Sequence, residues 1–386
     1  MGPDVARTPP PRVAEHDTWI SVDPVLGCPA ACDYCYLGRR GLRTSRPLAR
    51  ISAAEMIVDL AEYLGERTDA TPVAIGNYTD MAMTPANREY LVEFSERFAV
   101  AFPDRPLVVI TKSPRIRDVA DSLAATRHPI LVFVSYSFSQ HSGTPLESGP
   151  VADLDGALSS IAELARHRNL HPVHYWRPFL AKLNPIAELP GRVGLLADAG
   201  ATSSVVVGFK SSQIGTQWWS PTTIGLLTEA DSAGTGDERL PIELWRAVRD
   251  AAGSRCYAVY RNASCAIANV RRAPDALRTF EGRESAQHCR SANCPAEQRS
   301  VCAELAARPV TSKAVVAALS LLPCSGSKPA DYSVEGGHVT VHGALTESQV
   351  NLVTHVSSLR VRSDRVVQEK EWVNHDRQSV EDVVSR

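Results

Sequence analysis

The sequence lacks three features that would each point to a particular class of protein. Its 386 residues include 41 Lys and Arg against 43 Asp and Glu, so the basic excess expected of a protein that acts mainly on DNA or RNA is missing. No apolar run reaches the roughly 18 residues of a membrane-spanning helix. Residues 1–20 contain no apolar segment with a cleavage site, so we expect no secretory signal and a cytoplasmic protein.

Cysteine is also missing from a long central stretch. None of the nine cysteines lies between Cys35 and Cys256, whereas three precede this gap and six end or follow it. Buried structural cysteines behave as small apolar residues and would be spread across the core strands. Two separated groups therefore indicate two sites, and in a reducing compartment they favour metal, iron–sulfur or catalytic chemistry over disulfides.

The stretch between the two cysteine groups alternates short apolar runs with amphipathic segments. Such alternation predicts an α/β protein with a parallel sheet, either doubly wound or curled into a barrel. We expect three units: a core over 1–210, a cysteine-rich extension over 211–330 and a small α+β appendage over 331–386. The predicted strands are 19–23, 72–76, 106–111, 129–136, 172–177 and 204–209, and the predicted helices are 52–66, 86–102, 114–126, 151–168 and 185–199.

The first cysteine group has the spacing Cys28-x3-Cys32-x2-Cys35 and follows the first predicted strand. Three thiolates on one short loop can bind three irons of a [4Fe–4S] cube and leave the fourth iron open. Zinc is the competing metal, but a structural zinc site needs four ligands, and no fourth Cys or His lies nearby. Three unrelated core thiols are the remaining alternative.

This motif, with Tyr36 after its third cysteine, resembles the cluster loop of the radical S-adenosylmethionine superfamily. The segments 75–80, 109–113 and 134–137 resemble the spore photoproduct lyase-like branch, and the similarity covers residues 19–210. The resemblance implies a partial (β/α)6 TIM-like barrel that binds one [4Fe–4S] cluster and S-adenosylmethionine (SAM). It also implies an external one-electron reductant of the flavodoxin or ferredoxin type. The implied reaction is reductive cleavage of SAM to a 5′-deoxyadenosyl radical, followed by hydrogen abstraction from the substrate.

By the same resemblance, the ends of the second, third and fourth strands would hold SAM. Thr79 and Asp80 would face its amino group, and Lys112 and Ser135 would approach its carboxylate or ribose; solvated loop charges are the alternative for Asp80 and Lys112. The residues expected to bind the cofactor are Tyr36, Gly76, Asn77, Thr79, Asp80, Lys112 and Ser135.

One departure from that branch concerns the substrate. Photoproduct lyases carry a cysteine just after the second strand that donates a hydrogen atom, whereas residues 77–79 here are Asn-Tyr-Thr. DNA photolesion repair is therefore disfavoured. We expect a small-molecule, nucleoside or amino-acid-derived substrate in a biosynthetic pathway. A nucleic-acid-modifying or lyase-type radical enzyme and a zinc-binding, non-radical protein are the alternatives.

The second cysteine group predicts another metal site. Cys289, Cys294 and Cys302 are close in sequence, and Cys265 is the first choice for a fourth ligand, with Cys256 the second. A second [4Fe–4S] cluster suits this pattern, while a structural zinc site and plain structural thiols compete with it.

Three side chains at the ends of the fourth and fifth strands are candidates for contact with substrate. Arg177 could clamp a carboxylate or a phosphate. Tyr136 could relay a hydrogen atom, although buried hydrogen-bonded tyrosines are common. His174 could act at the same barrel mouth or be a satisfied core histidine.

Overall fold

The fold is known from a computed structural model, which describes most of the chain. The described residues are 10–139, 146–147, 149–210, 238–275, 293–322, 331–335, 338–367 and 380. Of the cysteines, Cys289 and Cys324 lie outside the described residues.

The strands follow the β-branched, apolar runs of the sequence. All six predicted strands are present, and a further strand, β12, joins the sheet from beyond the predicted core. The strands are β1 (Val13–Glu15), β2 (Ile20–Val22), β3 (Val25–Leu26), β4 (Leu48–Ala49), β5 (Val73–Ile75), β6 (Leu107–Thr111), β7 (Ile130–Ser135), β8 (Leu170–Trp176), β9 (Ser203–Val206), β10 (Phe209–Lys210), β11 (Glu238–Arg239), β12 (Val259–Tyr260), β13 (Tyr332–Glu335), β14 (His338–Thr346) and β15 (Arg360–Val367).

The helices lie between these strands, and several begin at side-chain caps. At the start of α2, the Ser52 hydroxyl accepts a bond from the Glu55 amide and the Glu55 carboxylate accepts one from the Ser52 amide, as the capping-box pattern predicts. The helices are α1 (Tyr36–Arg39), α2 (Ala53–Leu64), α3 (Pro85–Ala101), α4 (Ala120–Ala125), α5 (Leu154–Ala165), α6 (Leu189–Asp198), α7 (Ile242–Gly253), α8 (Ala263–Arg271), α9 (Ala296–Ala307), α10 (Ser312–Leu319) and α11 (Glu347–Ser357).

The central sheet has the strand order β1-β2-β5-β6-β7-β8-β9-β12. Within the described residues its last seven strands are parallel and β1 pairs antiparallel with β2. The parallel strands follow one another in chain order, as in a TIM-like barrel. The predicted α/β class and partial barrel are confirmed. The division at residue 210 stays a prediction, and the sheet takes its last strand from beyond it.

The two faces of the sheet bury different sets of side chains. Val109, Val132 and Val134 belong to the outer cluster, which packs against α2, α3 and α5. Their neighbours in sequence belong to the inner cluster, against which α8 packs. The inner cluster contains Ala74, Val108, Leu131, Phe133, Val173, Tyr175, Val205, Val207, Ala258, Tyr260, Ala263, Ala266 and Ile267. Because successive strand residues point to opposite faces, this alternation decides which strand-end residues can meet inside the barrel.

The C-terminal residues form a separate small layer. Strands β13, β14 and β15 make a three-stranded sheet, and α10 and α11 share an apolar cluster with it through Val315, Val353 and Val361. No helix in the described ranges has the length and apolarity needed to cross a membrane.

A buried hydrogen-bonded contact joins this small layer to the barrel. His355 of α11 places Nδ1 2.5 Å from Glu15 Oε1, and its Nε2 faces the Asp17 carbonyl at 3.1 Å. Glu15 also accepts bonds from Arg67 at 2.9 Å and from the Tyr63 hydroxyl at 2.8 Å. Burial by itself would raise the pKa of Glu15, but the His355 and Arg67 donors outweigh burial and lower that pKa below 4.5.

We expect the substitution Glu15→Gln to lower the free energy of unfolding by about 3 kcal/mol near neutral pH, because it leaves the buried Arg67 guanidinium without the Glu15 carboxylate. The pKa of Glu15 is lower in the folded than in the unfolded protein, so its ionised form stabilises the fold. This stabilisation is complete above the unfolded-state pKa and is lost as the pH falls through the folded-state pKa. The difference between wild type and variant should therefore shrink below about pH 4 in urea titrations. Glu93→Gln, at an exposed pair with Arg97, is the control. Equal pH profiles for wild type and Glu15→Gln would contradict this assignment.

Candidate functional site

The three cysteines of the first group lie on a loop that begins and ends at a short hairpin. Strands β3 and β4 pair antiparallel and hold the two ends of this loop together. Its start is tightly packed: Gly27 has a φ of +96°, and a Cβ there would lie 2.3 Å from Thr44 Cγ2. The Cys28 amide donates to the Leu42 carbonyl at 2.8 Å and the Cys35 amide to the Cys32 carbonyl at 3.1 Å. The backbone thus places the three cysteines beside the carboxyl end of β2.

The electrostatics of this loop suit a metal that replaces protons. Burial raises the pKa of all three thiols, that of Cys32 to about 12. The Lys112 ammonium acts in the opposite direction at Cys32, and the Arg43 and Arg177 guanidinium groups do so at Cys35. Metal binding releases thiol protons, and these three cations would then stabilise the resulting thiolates.

Tyr36 connects the cysteine loop with the end of β5. Its hydroxyl donates to the Asn77 carbonyl at 2.7 Å. Arg40 lies over its ring, 4.9 Å from the centroid, and donates to the Tyr78 hydroxyl at 2.9 Å. Two of the predicted cofactor residues, Tyr36 and Asn77, are therefore in direct contact.

The segment after β5 turns sharply and is held by Asp80. Gly76 has a φ of +88°, and a Cβ there would lie 2.6 Å from Met81 Cγ, so the turn needs glycine. The buried Asp80 carboxylate accepts bonds from the Thr111 hydroxyl at 2.8 Å and the Lys112 amide at 2.7 Å. Burial raises the pKa of Asp80 in spite of these donors. Asp80 is 6% exposed, so it is not a solvated loop charge.

Thr79 is buried beside Asp80. Its hydroxyl accepts a bond from the Asn87 side-chain amide at 3.2 Å. The same amide donates to the Asp80 carbonyl at 2.9 Å. Asn87, at the start of α3, thus holds the side chain of Thr79 and the backbone of Asp80.

Lys112 and Ser135 are in contact with each other, and a third residue joins them. Lys112 Nζ donates to Ser135 Oγ at 3.0 Å and to Glu147 Oε1 at 3.2 Å, and it lies 5.6 Å from the Tyr34 ring centroid. Burial would lower the pKa of Lys112, but Glu147 and the nearby Cys32 produce a net rise. Lys112 is therefore a charged, nearly enclosed group beside the cysteine loop.

Glu147 is the functional residue that sequence reasoning missed. Its carboxylate accepts bonds from the Tyr34 hydroxyl at 2.7 Å, from Ser139 at 2.5 Å and from Ser137 at 3.3 Å, besides the bond from Lys112. Its backbone forms an isolated bridge with Cys32. Glu147 has no motif spacing to reveal it, because it lies in a Ser- and Gly-containing loop after β7. Tyr34 could have been singled out, since it lies between two cysteines of the motif.

Arg177 continues the inner face of β8 and points to the same site. Tyr175 precedes it on that face and receives a bond from Arg177 at 3.0 Å. Tyr175 raises the pKa of Arg177, and Tyr36 and Cys35 add smaller contributions, which places the guanidinium beside the cysteine loop.

His174 does not share this mouth with Arg177. His174 Nδ1 contacts Ser204 Oγ at 3.0 Å and Nε2 contacts the Tyr136 carbonyl at 3.0 Å, so both ring nitrogens bind within the protein. Burial lowers the pKa of His174 to about 3, which keeps the ring neutral. Tyr136 belongs to the outer cluster and packs edge-to-face on Phe138. The expectation that His174 faces the same barrel mouth as Arg177 is corrected, because strand alternation places the two on opposite faces of the sheet. The role of Tyr136 stays a prediction.

The second cysteine group comes together around Tyr260. Burial, then Cys294, Cys265 and Cys302, raise the pKa of the Tyr260 hydroxyl, so each of these thiols lies near it. Cys265 Sγ donates to Asp275 Oδ2 at 3.3 Å, and the Gln298 side chain donates to Cys302 Sγ at 3.4 Å. Cys256 is exposed at the end of α7. Three predicted ligands are therefore neighbours, and Cys289 lies outside the described residues.

The fold and these sites define an α/β partial barrel with a three-cysteine loop at the carboxyl ends of its strands. Solved structures similar to this chain are spore photoproduct lyases. A variant with bound AdoMet and dinucleoside spore photoproduct is 14% identical, with a TM-score of 0.45, over 61% of this chain and 73% of that one. Another variant is 16% identical, with a TM-score of 0.44, over 66% and 77%. A lyase complexed with dinucleoside spore photoproduct is 15% identical, with a TM-score of 0.44, over 60% and 72%.

These neighbours are from the branch that the sequence motifs resemble. No protein-family model matches the chain, and no curated protein matches it either.

Proposed function

We propose that the chain is a radical SAM enzyme, with Cys28, Cys32 and Cys35 as ligands of one [4Fe–4S] cluster. The observation that carries the proposal is the convergence of the cysteine loop with Lys112, Ser135 and the 76–80 turn at one end of the sheet. When bound, the two cofactors supply a 5′-deoxyadenosyl radical, made by one-electron reduction of SAM, for hydrogen abstraction. The electron would come from a flavodoxin or ferredoxin type of reductant.

The residues around the loop fit SAM chemically. The side-chain amide of Asn77 is buried and has no hydrogen-bond partner within the described residues, so it is a donor that a ligand can satisfy. Because the positive φ of residue 76 requires glycine, the backbone there carries no side chain that would block a ligand. Lys112 and Ser135 offer a cation and a hydroxyl, which suit a carboxylate.

The position of each residue around the loop indicates the role that it would have in binding SAM and the substrate. Lys112, held by Glu147, would bind the carboxylate of SAM, while Asp80 keeps the ends of β5 and β6 in register through its bonds to Thr111 and Lys112. Tyr36 would hold the cysteine loop against the Asn77 turn. Arg177, which lies on the inner face, would orient an anionic group of the substrate.

A small-molecule, nucleoside or amino-acid-derived substrate is the class that we favour, in a biosynthetic pathway. The balance of 41 basic and 43 acidic residues supports this class, because proteins that grip polynucleotides usually carry a basic excess. A nucleic-acid substrate is the second candidate. It is favoured by the dinucleoside photoproduct bound to similar structures, and steeply salt-dependent DNA or RNA binding would support it.

The proposal is tested by anaerobic reconstitution with iron and sulfide, followed by addition of dithionite and SAM. We expect 5′-deoxyadenosine to form only when reconstituted protein, dithionite and SAM are all present. Protein that binds iron but yields no 5′-deoxyadenosine would overturn the assignment, and protein that takes up zinc and no iron would favour the zinc alternative.

We further propose that Cys265, Cys294 and Cys302, with Cys289, bind a second [4Fe–4S] cluster. The grouping of the three described thiols around Tyr260 supports it. Wild-type protein should then hold about eight irons, and the double variant Cys294→Ala/Cys302→Ala about four.

The control for this count is Cys256→Ala, which removes an exposed thiol that is not among the neighbours of Tyr260. We expect it to retain about eight irons. A count near four in wild type and double variant alike would leave the second group without a cluster, and one zinc per chain that the double variant loses would identify a structural zinc site.

A further inference from the structure

A cavity lies at the amino-terminal ends of the barrel strands, away from the cysteine loop. Its volume is about 280 Å³. The residues before β2 and β5 form one wall, α8 and the residues that follow it form the second, and the end of α11 forms the third. Its lining includes Thr18, Thr71, Ser264, Arg271, Asp275 and His355.

Arg271 is the unmatched charge of this cavity. Within the described part of the chain its guanidinium has neither an ion-pair partner nor a hydrogen-bond acceptor. Burial, and then repulsion from Arg105, lower the pKa of Arg271, while Asp69 attracts it from beyond ion-pair distance. An arginine in such a place favours the approach of an anion.

The carboxylates nearby are already occupied. Asp69 accepts from Arg67 at 2.9 Å and from Arg105 at 3.3 Å. Asp275 Oδ2 lies 3.3 Å from Cys265 Sγ, and Asp275 has a further interaction partner besides. The His355 ring is bonded to Glu15 through Nδ1. Arg271 is therefore the cation of the cavity that no described carboxylate neutralises.

Ser264 supplies a second unused donor. It lines the cavity at the first turn of α8 and is 8% exposed, and its hydroxyl has no hydrogen-bond partner among the described residues. The hydroxyls of Thr18 and Thr71 differ, because each already donates to a neighbouring aspartate. Among the described side chains of the lining, the donors without a partner are thus one planar guanidinium and one hydroxyl, a set that fits a single oxyanion group.

We propose that this cavity binds one small oxyanion group, a carboxylate or a phosphate, between Arg271 and Ser264. The volume suits an anion or the anionic end of a metabolite, since whole-cofactor pockets are usually larger, about 300–1,000 Å³. The site is separate from the proposed SAM site, which lies at the opposite ends of the strands.

Thermal unfolding with inorganic phosphate or acetate, at constant ionic strength set with chloride, tests the proposal. We expect at least one of the two anions to raise the Tm of the wild type by roughly 2 °C at about ten times its dissociation constant. Equilibrium dialysis of the same anion should give one site per chain. A response to phosphate alone would identify a phosphate site, and a response to acetate alone a carboxylate site.

The variants Arg271→Gln and Ser264→Ala should lose this response, Arg271→Gln completely and Ser264→Ala in part. Arg272→Gln is the matched control, because the adjacent arginine is exposed and does not line the cavity. An equal Tm rise in wild type and Arg271→Gln, or no rise and no dialysis binding with either anion, would overturn the proposal. If Arg271→Gln does not fold, the same comparison is made with Ser264→Ala, whose full retention of the response would also overturn it.

Discussion

Replacing Cys32 by alanine is expected to reduce SAM cleavage by at least about 10³-fold, to the background of dithionite alone. Cys32 is the most buried of the three loop cysteines, at 5% exposed, and its backbone bridges to Glu147. An Ala there removes one of the three iron ligands and leaves an iron of the cube without a protein ligand. The measurement is 5′-deoxyadenosine formation by anaerobically reconstituted protein, with iron and sulfide counted on the same sample.

Two controls test whether the loss of activity in Cys32→Ala reflects the loss of an iron ligand. Cys256→Ala makes the same chemical change at an exposed thiol and should leave SAM cleavage unchanged. The iron that remains in Cys32→Ala should equal the content of the second site, about four if that site holds a cluster. Full activity in Cys32→Ala would remove Cys32 from the ligand set and with it the proposed cluster.

The sequence predicted the strands well because a buried parallel strand needs short Val- and Ile-rich runs, which few other elements use. β6 (Leu107–Thr111) and β7 (Ile130–Ser135) fall within the predicted segments. The orientation of the strand-end residues was open to prediction too. Counting by twos from Val173 through Tyr175 places Arg177 on the inner face and His174 on the outer face.

The contacts of loop residues could not be predicted, because no sequence pattern specifies them. Glu147 acquires its four donors only in the folded chain, where it lies beside Tyr34 and Lys112, and no spacing encodes such a contact. The sequence likewise could not show which of Cys256 and Cys265 lies nearer to the other cysteines of the second group, because that depends on packing. Both lie well before Cys289 in sequence, but α8 packs Cys265 against the inner face of the sheet, whereas Cys256 remains exposed.

The second large effect concerns the buried pair of Lys112 and Glu147, whose side chains are 16% and 5% exposed. Lys112→Met should weaken SAM binding by about 10- to 100-fold, since a hydrogen bond to a charged group contributes about 1.5–3 kcal/mol. The same variant should lower the free energy of unfolding by about 3 kcal/mol, because it leaves the Glu147 carboxylate buried without its cation. Glu147→Gln should cost a similar amount of stability, because Lys112 then becomes the unpaired charge.

The double variant Lys112→Met/Glu147→Gln separates binding from stability. Removing both charges removes the penalty for an unpaired one, so the free energy of unfolding should recover most of the loss. SAM affinity should not recover, because the cation that would bind its carboxylate is still missing. Urea titrations measure stability and equilibrium dialysis measures SAM binding to the reconstituted protein. Recovery of both quantities in the double variant would show that Lys112 acts only as the partner of Glu147 and makes no contact with SAM.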